Sequence, residues 1–170
     1  MHHILLRILK TGIVTQKTPE LHKEMRELSQ KLSQRGFGRF GHSLSIRHLD
    51  AGSCNGCEVE IGMLNSPYFM LEHLGFKFVA SPRHADLLLV TGPVSLHMKQ
   101  ALLDTFDAMP SPKLVVSVGD CGYDCGIFKG SPALAGGVSE VIPVDLHIPG
   151  CPPEPLDLIR GFLTAVGGQT

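Results

Sequence analysis

A chain of 170 residues with net charge −1 and 43% hydrophobic residues has the size and composition of one folded domain with a substantial core. No run of about 18 apolar residues occurs, so no segment reads as a membrane-spanning helix. The charge is uneven: residues 1–50 carry nine Lys/Arg against four Asp/Glu, a net +5, whereas residues 51–170 sum to −6. A basic segment on an acidic body points to docking on a partner or a membrane surface, or to nothing more than a solvated helix. Nucleic acid is disfavoured, because the basic part lacks aromatic platforms and the body is acidic.

In chain order, Met1 to Val14 is apolar but interrupted by Arg7 and Lys10, and no small-residue cleavage site follows. The expectation is a chain without a signal peptide that stays in the cytoplasm, where its five cysteines remain reduced and are free for a metal. Leu5, Leu9 and Ile13 repeat every four residues, limited by Gly12. Thr18 can cap a second helix with Pro19 at its first position, and Leu21, Met25, Leu28 and Leu32 form one narrow apolar stripe. Glu27 and Lys31 pair outside it, and Gly36 and Gly38 end it. So narrow a stripe suits an arm lying on something else. Residues 1–40 therefore read as an N-terminal amphipathic helical arm, and 41–170 as the folded domain.

From Leu44 the pattern changes. Short β-rich apolar runs occur at Leu44–Leu49, Phe76–Ala80, Leu87–Val90, Leu114–Val118 and Val141–Val144. Helical patterns at Ile61–Leu74, Leu96–Met109 and Leu156–Val166 alternate with several of them. Strands alternating with helices predict an α/β fold, an open parallel sheet covered on both faces.

The cysteines sit just after these runs. Cys54 and Cys57 lie in Gly52-Ser-Cys-Asn-Gly-Cys, Cys121 in Gly119-Asp-Cys-Gly, and Cys151 in Gly150-Cys-Pro-Pro. Loops that follow strand C-termini gather on one edge of a parallel sheet, where ligands bind, so four thiols from three loops should converge. Flanking Gly and Pro let the backbone approach a bulky inorganic group. Four cysteines suit zinc or an iron–sulfur cluster. The 63 residues between Cys57 and Cys121 depart from paired zinc knuckles, and a Cys-Pro ending recurs in iron–sulfur sites. A redox pair at Cys54/Cys57 is a further alternative, although it leaves Cys121 and Cys151 without a role.

Leu49-Asp-Ala-Gly-Ser-Cys-Asn-Gly-Cys-Glu-Val-Glu resembles the small subunit of energy-converting membrane-bound nickel–iron hydrogenases, the formate hydrogenlyase and hydrogenase-4 type. So do Ser81-Pro-Arg-His-Ala-Asp, Thr91-Gly-Pro-Val, Val118-Gly-Asp-Cys and Val144-Asp-Leu-His-Ile-Pro-Gly-Cys-Pro-Pro, and the match runs in order from about residue 44 to 163. The homologous B subunit of respiratory complex I shares most blocks but carries adjacent cysteines at the first. The resemblance implies a flavodoxin-like fold and one [4Fe–4S] cluster on Cys54, Cys57, Cys121 and Cys151. It implies electron transfer within an oxidoreductase complex, peripheral on the inner face of the cell membrane. The partners would be a large nickel–iron subunit, a ferredoxin-like iron–sulfur subunit and membrane subunits. A complex I-like quinone oxidoreductase subunit and a non-redox zinc module are the alternatives. Where the resembling families have Gly-Gly after Cys121, this chain has Cys125-Gly126. Cys125 reads as a small residue in a tight turn, as a spare thiolate, or as the true third ligand. Glu60, one turn after Cys57, is a candidate proton relay or a backbone-bonding residue. Arg83 either offsets cluster charge or pairs with Asp86.

Overall fold

The structure is a computed structural model that describes residues 2–12, 27, 30 and 42–167. In chain order the elements are helix α1 (His2–Thr11), strand β1 (Leu44–Asp50), helix α2 (Gly56–Met63), and strands β2 (Phe76–Phe78), β3 (Leu87–Thr91) and β4 (Val94–Ser95). Helix α3 (Lys99–Ala108), strand β5 (Leu114–Val118), helix α4 (Asp120–Asp124), strands β6 (Leu134–Gly136) and β7 (Leu146–Ile148), and helix α5 (Pro155–Gly167) complete it. The expected helix from Thr18 to Leu32 and its Gly36/Gly38 stop lie outside the described residues, apart from Glu27 and Gln30.

Five strands form one sheet in the order β2-β1-β3-β5-β7, every neighbouring pair parallel. Counting only these strands, the order is 2-1-3-4-5, the flavodoxin-like winding, with its reversal between β1 and β3. The continuous apolar runs are explained by burial on both faces. Leu87, Leu89, Leu114, Val116 and Val118 point into a core with Ile61 of α2 and Leu158, Ile159 and Phe162 of α5. Leu88, Val90 and Val115 point the other way, toward Leu102 of α3, Met109 and Val138. A period of two thus feeds two cores from the same strands. Phe162 is fully buried with its ring 5.7 Å from that of Phe76; burial of such a side chain contributes about 1.5–3 kcal/mol. No α1 residue enters either core.

Two sequence expectations are corrected. Val141–Val144 is not a strand: Pro143 interrupts it, and its apolar side chains pack irregularly against the α3-side core. The strand is Leu146–Ile148, in register with Val116–Val118. Ile61–Leu74 is not one helix either. Helix α2 starts five residues earlier, ends at Met63 before Pro67, and only a 3-10 turn at Leu71–Leu74 follows. Among the described residues no helix is long and apolar enough to cross a membrane.

Candidate metal centre

Three loops leave the carboxyl edge of the sheet, and each is shaped by its own short-range chemistry. After β1, the Asp50 carboxylate accepts hydrogen bonds from the backbone N–H groups of Gly52 and Ser53, both at 2.8 Å. The Ser53 hydroxyl accepts from Asn55 N–H at 3.1 Å, and Asn55 takes the left-handed conformation, φ 71°, that short polar side chains tolerate. The chain then enters α2 with Cys57 in its first turn. After β5 and β7, the two remaining loops are tied together. Asp120 N–H donates to Gly150 O and Gly150 N–H donates back to the Asp120 carboxylate, both at 2.9 Å, beside a bond from Gly119 N–H to Ile148 O at 2.8 Å. These contacts hold Cys121 and Cys151 in fixed relation. Asp50→Ala is expected to lower stability by about 1–2 kcal/mol by removing the two turn bonds, with Asp50→Asn recovering most of it. A thermal melt checks this, and an unchanged melt in the Ala variant would deny Asp50 its part in the loop.

Four thiols meet at this edge. Cys57 is half-buried, and its thiol is pushed up to about 12 by burial, then by the Glu58 charge, then by Cys54, Cys121 and Cys151. Burial also raises the Cys121 thiol, followed by the neighbouring Cys151. Cys54 and Cys151 are exposed, so the group opens outward. Glycines leave the sulfurs room. A β-carbon on Gly119 would lie 2.8 Å from Cys57 Sγ, and one on Gly126 3.0 Å from Cys121 Sγ. Burial and mutual proximity oppose ionisation of Cys57 and Cys121, and a bound cation would favour their thiolate forms. Among the described residues no three His, Cys, Asp or Glu groups are spaced for a single metal ion.

Cys125 stands apart. Its thiol is raised by burial and by the Glu140 and Asp124 carboxylates, and none of the other cysteines acts on it. It ends α4 in the left-handed conformation, φ 70°, its N–H donating to Cys121 O at 3.0 Å. This is a turn position in which the resembling families use glycine.

Glu60 lies half-buried one turn beyond Cys57, and its carboxylate makes no hydrogen bond or ion pair among the described residues. Arg83 is exposed and does not reach Asp86; that carboxylate instead accepts from Ser45 N–H at 2.9 Å, anchoring β1. A residue passed over in the sequence is Glu58. Both its carboxylate oxygens are buried without a hydrogen-bond partner, Oε1 3.9 Å from His48 Nε2, in a cleft of about 440 Å³ that Arg47 and Asn65 also line. No local sequence pattern marks it, because its burial depends on how α2 packs against β1.

A 2-1-3-4-5 parallel sheet that gathers four thiols at its carboxyl edge defines an α/β protein with a thiol-rich centre at the ligand position of its fold. Residues 54–165 match the family described as NADH ubiquinone oxidoreductase, 20 Kd subunit, and the chain belongs to that family. It is similar to formate hydrogenlyase subunit 7 of Escherichia coli (strain K12), 45% identical over 125 residues that cover 74% of this chain and 49% of that protein. The match thus spans about half the length of that relative. The probable membrane-bound hydrogenase subunit mbhJ of Pyrococcus furiosus is 37% identical over 146 residues, 85% of this chain and 86% of that one. Among solved structures, a chain of the membrane-bound sulfane sulfur reductase, an archaeal respiratory membrane complex, superposes with a TM-score of 0.65. It is 27% identical, and the match covers 84% of this chain and 77% of that one.

Proposed function

We propose that this chain is the electron-relay subunit of a membrane-associated nickel–iron hydrogenase complex, with one [4Fe–4S] cluster held by Cys54, Cys57, Cys121 and Cys151. The observation that carries the reading is the mutual proximity of these four thiols, from loops after β1, β5 and β7, with Cys125 outside the group. The 63 residues between Cys57 and Cys121 and the Cys151-Pro152 ending suit an iron–sulfur core better than paired zinc knuckles. When bound, the cluster supplies one-electron transfer. The chain's own part is to hold it, to exclude water from the Cys57 and Cys121 side, and to keep Gly119 and Gly126 clear of the sulfurs. The hydrogen chemistry would belong to a large nickel–iron subunit, with electrons exchanged through a ferredoxin-like subunit and the assembly peripheral on the cytoplasmic side of the membrane, beside membrane subunits. Two features favour a hydrogenase over a quinone-reducing complex: the two residues between Cys54 and Cys57, and the likeness to formate hydrogenlyase subunit 7 and mbhJ.

The test is dye-driven hydrogen production by the purified complex. Hydrogen evolution is expected; quinone reduction without any hydrogen activity would move the chain to the complex I branch. In the same assay Glu60→Gln is expected to slow turnover roughly 100-fold while leaving the cluster's paramagnetic resonance signal unchanged, with Glu60→Asp milder, because only the carboxylate carries protons. Full activity in the Gln variant would remove Glu60 from the proton route.

A further inference from the structure

Helix α1 is the most apolar exposed surface among the described residues. Ile4, Leu5, Leu6, Ile8 and Leu9 are each between 55% and 79% exposed. At 3.6 residues per turn they cover an arc of about 200° around the helix. His3, Arg7, Lys10 and Thr11 fill the opposite arc, and α1 contains no acidic residue. The sequence pattern of Leu5, Leu9 and Ile13 alone suggests a narrower stripe; Ile4, Leu6 and Ile8 widen it. The helix ends at Gly12, φ 63°, whose N–H donates to Ile8 O at 3.1 Å, a left-handed stop.

The width of the apolar arc selects the occupant. A helix packed on a protein surface needs a stripe of roughly 100°, and the rest of its surface would then be expected to be polar. A helix lying in a lipid surface immerses about half its circumference. Charge selects the lipid. Arg7 and Lys10 sit opposite the apolar centre, their charges within a Debye length of the headgroups. Residues 51–170 carry −6 and would be repelled by the same surface, whereas α1 carries Arg7 and Lys10 and no acidic residue. We propose that α1 lies in the plane of an anionic lipid surface, with Ile4, Leu5, Leu6, Ile8 and Leu9 immersed and the basic side chains toward the headgroups. This deepens the membrane association proposed above, by direct lipid contact in addition to any membrane subunit.

Sedimentation of the full-length chain with vesicles tests it. Vesicles of phosphatidylglycerol and phosphatidylethanolamine should carry the chain down at least tenfold more strongly than phosphatidylcholine vesicles. The double variant Leu5→Glu/Leu9→Glu should lose at least tenfold of that binding, and Arg7→Gln/Lys10→Gln should erase the preference for the anionic lipid. Because α1 enters neither core, these variants should melt as the unmutated chain does. A chain that ignores both vesicle types overturns the proposal. So does a double-Glu variant that sediments unchanged, or one that leaves vesicle binding intact while detaching the chain from a protein partner. Iron and sulfide content, measured in parallel, separates failure of this contact from failure of the cluster reading.

Discussion

Replacing Cys54, Cys57, Cys121 or Cys151 singly with Ala is expected to abolish the iron–sulfur absorption of the anaerobically purified chain, whereas Cys125→Gly should leave it in place. Removal of one anchor leaves an edge of a cuboidal core without a protein ligand. Cys125 is not a ready substitute, because burial and the Glu140 and Asp124 charges raise its thiol. Its left-handed backbone also favours glycine, so Cys125→Gly relieves strain of about 1 kcal/mol while giving up a small buried side chain. Melting temperature should move little, and the cluster absorption should persist. Loss of the cluster in Cys125→Gly with retention in Cys121→Ala would reverse the ligand assignment.

Gly92→Ala is expected to be the most damaging glycine substitution near the centre. Gly92 follows β3 at the reversal of the sheet, φ 74°, and a β-carbon there would lie 2.5 Å from both Ser53 N and Ser53 Cα. Those are backbone atoms of the loop that carries Cys54, so they can yield only by moving the loop. Left-handed strain of about 1–2 kcal/mol and overpacking of about 1–3 kcal/mol together predict a loss of roughly 2–5 kcal/mol. For a domain of this size that lowers the melting temperature by about 10 °C and reduces metal incorporation. Gly62→Ala is the control. It lies within α2 with open space around it, and Ala is the better helix former there by about 1 kcal/mol. A Gly92→Ala chain that melts with the unmutated one would show that the Ser53 loop is slack and that the close approach does not govern the site.

How much of this was legible in the sequence follows from where the residues are buried. The runs at Leu44, Leu87 and Leu114 were readable as strands because both faces of β3 and β5 are covered, leaving no polar alternation to obscure them. The placement of the cysteine motifs after such runs was enough to expect convergence at one edge, and the thiols do meet there. Val141, Ile142 and Val144 misled because apolar content records burial, and these residues are buried or half-buried in irregular chain around Pro143. Only three residues of β7 pair with β5, too few to announce themselves. The early start of α2 depended on Asn55 taking a left-handed turn, which its sequence context permits but does not impose. The β4–β6 pair was invisible for the same reason of length: Val94–Ser95 and Leu134–Gly136 are fragments held by tertiary contacts rather than by their own propensity. Glu58 escaped notice because its burial depends on the angle between α2 and β1, which no local pattern encodes.

The central claim is that the four converging thiols hold a polynuclear iron–sulfur core. The most direct measurement is the iron, acid-labile sulfide and zinc content of the full-length chain purified without oxygen. The account predicts about four irons and four sulfides per chain, with broad thiolate-to-iron absorption. One zinc per chain, with no sulfide and no such absorption, would contradict it.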